Sequence, residues 1–130
     1  MCVPAHACFK LPPSLTWEQG ALVEPLAVSV HAVRLADVHS YETAVVLGAG
    51  TIGLTCVAAL SAMGVRDILV TARHKHQADM AMRLGASKVF EAEDENGWLR
   101  AADAATGRGA DIAVPEGSSA LLDAVHGRTE

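Results

Sequence analysis

Aromatic residues are scarce in this 130-residue chain, at 4% against 51% apolar residues in all, so its core must be mainly aliphatic. Cysteine is rarer still. Cys2, Cys8 and Cys56 are odd in number and lack C-x-x-C spacing, which excludes a disulfide framework and a self-contained zinc knot. Cys56 lies on an apolar helix face and reads as a small core residue. Positive charge is outweighed: a net charge of −5 leaves no basic footprint for nucleic acid. Much of that excess comes from Glu91, Glu93, Asp94 and Glu95, a run that reads as a solvated loop. No stretch approaches the roughly 18 uninterrupted apolar residues of a membrane span, and no charged-then-apolar signal opens the chain. A cytoplasmic protein with neither membrane nor nucleic-acid partners is the expectation. Internal repeats and low-complexity linkers are missing too. His31, His39 and His126 have no ligand-spaced partner, so each reads as a surface or helix-face residue.

What the chain does have is a glycine-rich turn. Ala44-Val45-Val46-Leu47-Gly48-Ala49-Gly50-Thr51-Ile52-Gly53 joins an apolar strand to a helix through G-x-G-x-x-G, the arrangement that receives a pyrophosphate. Gly48 permits the tight turn, Gly50 lets the backbone approach phosphate, and Gly53 lets helix and strand pack closely. The N–H groups of Thr51, Ile52 and Gly53, at the positive end of the helix dipole, then face the anion.

The flanking pattern supplies the context. Ile52, Cys56, Ala59, Leu60 and Met63 recur at helical spacing and Gly64 stands at the C-cap, which predicts a helix over 51–63. Asp67-Ile68-Leu69-Val70-Thr71 reads as a buried strand, 75–84 as a helix stopped by Gly85, and Lys88-Val89-Phe90 as a third strand. Strand, helix, strand, helix, strand is the half-Rossmann pattern. The predicted fold is therefore α/β, a doubly wound parallel sheet, with room in this length for one domain at most. Upstream, Thr16-Trp17-Glu18-Gln19 has capping-box form, and Pro25 suits the first turn of a further helix running to about Leu35. Glu24 would be favoured at that helix start by the dipole alone.

These motifs, in this order, resemble the middle of a zinc-containing medium-chain dehydrogenase. The stretches carrying the likeness are Phe9-Lys10-Leu11-Pro12, Glu18 to Val28 with its Glu24-Pro25 pair, and Val46 to Leu54. Gly107-Arg108-Gly109-Ala110-Asp111-Ile112-Ala113-Val114 adds the turn and fourth strand. The sorbitol, xylitol and threonine dehydrogenase branch matches best. The resemblance implies a partial Rossmann sheet of about four strands in the order 3-2-1-4. Residues 1–42 would be an approach segment and helix leading from an N-terminal catalytic domain, and residues 43–130 a truncated dinucleotide-binding domain. It also implies hydride transfer between a small secondary alcohol, polyol-like, and a nicotinamide cofactor. Zinc would polarise the substrate oxygen, and a homo-oligomer is expected at full length. Glu24 matches one zinc ligand of the family and nothing else here matches another, so no catalytic residue is assigned within the chain. The stretch Pro115-Glu116-Gly117 is one residue shorter than the family's usual loop.

The end of the second strand bears on the choice of cofactor. An NAD-preferring domain carries Asp or Glu about 20 residues beyond the glycines, whereas here that stretch is Thr71-Ala72-Arg73. Ala72 takes the acidic position, which removes repulsion of a 2′-phosphate, and Arg73 can pair with that phosphate through charge-assisted bonds. His74, Lys75 and His76 add positive potential nearby. NADP is the expected cofactor, with NAD the alternative; a solvated role for Arg73 and Lys75 at a helix start also fits the residues. The missing acid counts equally against an S-adenosylmethionine site. A dinucleotide-binding module without chemistry of its own, or a truncated product without function, stays open beside the enzyme reading.

Overall fold

The computed structural model describes residues 2–91 and 112–115. A 3₁₀ turn at Ala5–Ala7 precedes two consecutive helices, α1 (Trp17–Ala21) and α2 (Val23–Ala36). Thr16 caps α1 as its spacing predicts: its hydroxyl accepts from Gln19 N at 3.3 Å and Gln19 Oε1 accepts from Thr16 N at 3.0 Å. Pro25 is the third residue of α2. The first backbone bond there runs from Leu26 N to Leu22 O at 3.1 Å, so the N–H that proline lacks had no helical partner to lose.

Strand β1 (Thr43–Leu47) then leads through the glycine turn into α3 (Thr51–Ala62). Next come β2 (Asp67–Ala72), α4 (Lys75–Leu84), β3 (Lys88–Glu91) and β4 (Ile112–Pro115). The sheet is parallel throughout, with strand order β3-β2-β1-β4. β1 and β2 pair in register from Thr43 opposite Asp67 to Val46 opposite Val70. Asp67 anchors the start of that register, since its carboxylate accepts from Thr43 Oγ1 at 2.9 Å and from Ser87 Oγ at 2.8 Å. Helices α3 and α4 end where glycines can turn the chain left-handed, Gly64 at φ 87° and Gly85 at φ 115°.

Alternation along the strands sorts the core. Ala44, Val46, Ile68, Val70 and Ala72 face one side, with Val57, Leu60, Ala81 and Val33 packed over them. Val45 and Leu69 face the other, with Leu47 and Phe90 beside them. α3 is apolar nearly all round because it lies between the sheet and α2, whereas α4 buries little more than Ala81. All three packed helices lie on the first face. The helical cover expected on the second face falls outside the described residues. So do Glu93, Asp94 and Glu95, the turn from Gly107 to Asp111, and the Glu116-Gly117 end of the shortened loop.

Candidate functional site

Two glycines of the turn are required, each for a different physical reason. Gly48 has φ 100°, a left-handed conformation that a side chain would strain. A β-carbon on Gly53 would overlap the carbonyl oxygen of Gly48. Gly50, the N-cap of α3, has an ordinary φ of −77° with ψ −171°, so its own backbone angles do not demand glycine. What remains for Gly50 is the space its missing side chain leaves in front of the helix.

That front is open. The N–H groups of Thr51, Ile52 and Gly53 belong to the first turn, which has no carbonyl four residues back to accept them. No side chain caps α3 and no acidic residue stands in its first turn. α1, by contrast, carries a full capping box and Glu18, whose carboxyl its backbone hydrogen bond and Thr16 hold below the ordinary range. Gly48 N is not part of the open set, because it donates to Thr71 Oγ1 at 2.8 Å.

A cavity of about 430 Å³ adjoins the turn, lined by Leu47, Gly48, Ala49, Thr71, Arg73, His74 and Gln77. The structure thus brings Gly48, Thr71 and Arg73 together. Among the described residues no carboxylate lines this cavity. Ala72 is buried on the helix-facing side, within the core, and is not part of the lining. Lys75 also stays out of it: its ammonium pairs with Asp79 Oδ2 at 3.2 Å, one turn along an exposed face of α4. His74 and His76 stack with ring centroids 5.5 Å apart. Gln77 was not among the residues predicted, although His74-x-x-Gln77 has capping-box spacing; its Oε1 accepts from His74 N at 3.3 Å and ties the start of α4 beside Arg73.

Glu24 lies apart from this group, exposed in the first turn of α2. Among the described residues no cluster of three or more His, Cys, Asp or Glu could hold a metal ion. A catalytic zinc takes three protein ligands, so these residues do not make a zinc site and Glu24 is a solitary candidate. Cys56 is no substitute. It is buried, and burial pushes its thiol up, away from the thiolate that binds metal, while a hydrogen bond with Ser29 acts the other way without cancelling it. Ser29 also joins α2 to α3: its hydroxyl lies 3.0 Å from Pro25 O and 2.7 Å from Thr55 Oγ1.

The sequence pattern of zinc-binding dehydrogenases matches residues 51–122, which include the glycine-turn helix and the Thr71 to Gln77 side of the cavity. The chain belongs to the zinc-binding dehydrogenase family. Among relatives in this family, the Emericella nidulans protein named "Probable D-xylulose reductase A" is 39% identical over 128 residues, 95% of this chain and 35% of its own length. An Escherichia coli oxidoreductase/dehydrogenase of unknown specificity, involved in membrane biogenesis, superposes with a TM-score of 0.78 at 35% identity, covering 94% of this chain and 35% of that one. A Sinorhizobium meliloti chain solved bound to NADP superposes with a TM-score of 0.60 at 30% identity, covering 64% of this chain and 24% of that one. The chain therefore spans about a third of the length of the relatives it matches.

Proposed function

We propose that this zinc-binding dehydrogenase chain holds a nicotinamide dinucleotide, NADP in preference to NAD. We infer that the whole protein transfers hydride between a small secondary alcohol of polyol type and the nicotinamide ring. The observation that carries the reading is the uncapped, acid-free N-terminus of α3 beside a cavity with Arg73 in its wall. A pyrophosphate at the turn would accept from the N–H groups of Thr51, Ile52 and Gly53, with Gly50 leaving room for it. The dipole adds about half a positive charge there.

Further along the cavity, Arg73 has the fork of donors that suits a 2′-phosphate. Ala72 contributes no repelling carboxylate, and Lys75, engaged with Asp79, adds little. The NADP in the Sinorhizobium chain supports a nicotinamide dinucleotide on this fold. The name of the Emericella relative supports the substrate class, because reducing a ketose makes a secondary alcohol. In this reading residues 43–130 serve the cofactor, residues 1–42 approach it from the substrate side, and the whole protein is a homo-oligomer. Zinc would supply Lewis acidity when bound. Glu24 is a solitary donor for it among the described residues. Calorimetric titration of the chain with NADP and with NAD tests the cofactor reading, which equal or tighter binding of NAD contradicts.

A further inference from the structure

Thr71 is buried, 4% exposed, yet it lines the cavity. Its hydroxyl oxygen accepts the Gly48 N–H at 2.8 Å across 23 residues of sequence. A hydroxyl is also a donor, and no acceptor among the described residues takes the Thr71 proton. A donor so enclosed costs free energy unless something meets it. The other side-chain donors lining the cavity belong to Arg73, His74 and Gln77 at the start of α4, and Gly48 of the turn shares the lining. The ligand portion that fits between the turn and Arg73 is the sugar joining a phosphate at the turn to a 2′-phosphate at the guanidinium.

Resting on the dinucleotide reading, we propose that the Thr71 hydroxyl is a bridging residue. It accepts from Gly48, so holding the left-handed turn, and donates its proton to an oxygen of the adenosine ribose. Both cofactors carry that ribose, so Thr71 sets affinity without setting the choice between them. The acceptor bond orients the hydroxyl before the ligand arrives, which spares part of the ordering cost of binding.

Two ligands separate the bridge from a purely local role: NADP, and 2′,5′-ADP, which has the ribose and the 2′-phosphate but no pyrophosphate. Thr71→Val keeps shape and strand preference while deleting both hydrogen bonds, and should weaken both ligands alike, about three- to tenfold. It should leave the NADP-to-NAD ratio unchanged. Thr71→Ser should restore binding to within about twofold. Thr71→Cys, a weak acceptor and poor donor, covers the case in which the valine variant unfolds, and should bind 2′,5′-ADP as weakly as valine would. Unaltered 2′,5′-ADP affinity in the valine or cysteine variant overturns the proposal, because the hydroxyl would then serve only the turn. If the unaltered chain takes up neither ligand, the dinucleotide reading falls and this proposal with it; binding that ignores Thr71 removes the hydroxyl's role alone.

Discussion

The first turn of α3 rests directly on the glycine turn, for a β-carbon on Gly53 would overlap the Gly48 carbonyl oxygen and lie 3.0 Å from its carbonyl carbon. Both groups are backbone, fixed by a strand on one side and a helix on the other, so neither can yield cheaply. Gly53→Ala should therefore destabilise the fold by about 2–4 kcal/mol, more than an ordinary overpacking substitution. Urea unfolding measures it, and a loss below about 1 kcal/mol would mean that the contact relaxes.

Gly50→Val should do the opposite. Its extended backbone accepts any residue, so stability should change by less than about 1 kcal/mol. A branched side chain in front of the helix would nevertheless keep a pyrophosphate from the N–H groups. NADP and NAD share that group and should be lost together. A selective loss of one cofactor contradicts the placement of the phosphate at α3.

Arg73→Ala should act selectively. Removing a charge-assisted contact to the 2′-phosphate should weaken NADP by about 1.5–3 kcal/mol and leave NAD within a factor of two or so. Comparing the two dissociation constants at one ionic strength decides the matter, since the contact is electrostatic and salt weakens it. Equal effects on both cofactors would return Arg73 to the role of a solvated residue.

Much of this architecture was legible because it is local. Gly64 and Gly85 stop helices of 12 and 10 residues, and Thr16 with Gln19 caps α1, each device lying within a few residues of the end it governs. The strand order 3-2-1-4, which the family resemblance implies, is the order found. What the pattern did not disclose depends on how distant elements meet. The Thr71–Gly48 and Ser29–Thr55 bonds span 23 and 26 residues, and their existence rests on strand register and helix rotation. Lys75 shows the same limit from the other side. Its place at a helix start suggested positive potential for the cofactor, but Asp79, one turn on, lies within reach and engages it.

Cys56 offers a pH-dependent signature. Burial holds its thiol above the usual range, so the folded chain keeps this proton where the unfolded chain has released it. The contribution is complete below about pH 8.5, the unfolded thiol's range, and is lost as pH rises beyond it. Stability should fall more steeply with alkaline pH in the unaltered chain than in Cys56→Ala, and a thiol reagent at neutral pH should label exposed Cys2 and Cys8 before Cys56. Identical pH slopes would show that the site is wetter than its burial implies.

Glu24 marks the boundary between what these residues bind and what the whole protein is proposed to do. It is exposed at the start of α2, where a carboxylate gains about 0.3–1 kcal/mol from the helix dipole whether or not a metal is near. One exposed carboxylate does not hold zinc against water, because the metal needs three protein ligands to fix a tetrahedral shell, and no such cluster exists among the described residues. The 130-residue chain should accordingly bind zinc no tighter than a surface carboxylate does, and Glu24→Ala should cost at most about 1 kcal/mol of stability. Dinucleotide affinity should be unchanged, since Glu24 does not line the cavity. Equilibrium dialysis against zinc at micromolar concentration, with and without NADP, reads these outcomes together. Tight zinc uptake abolished by Glu24→Ala would reveal further ligands around that residue and would move the metal centre into this chain.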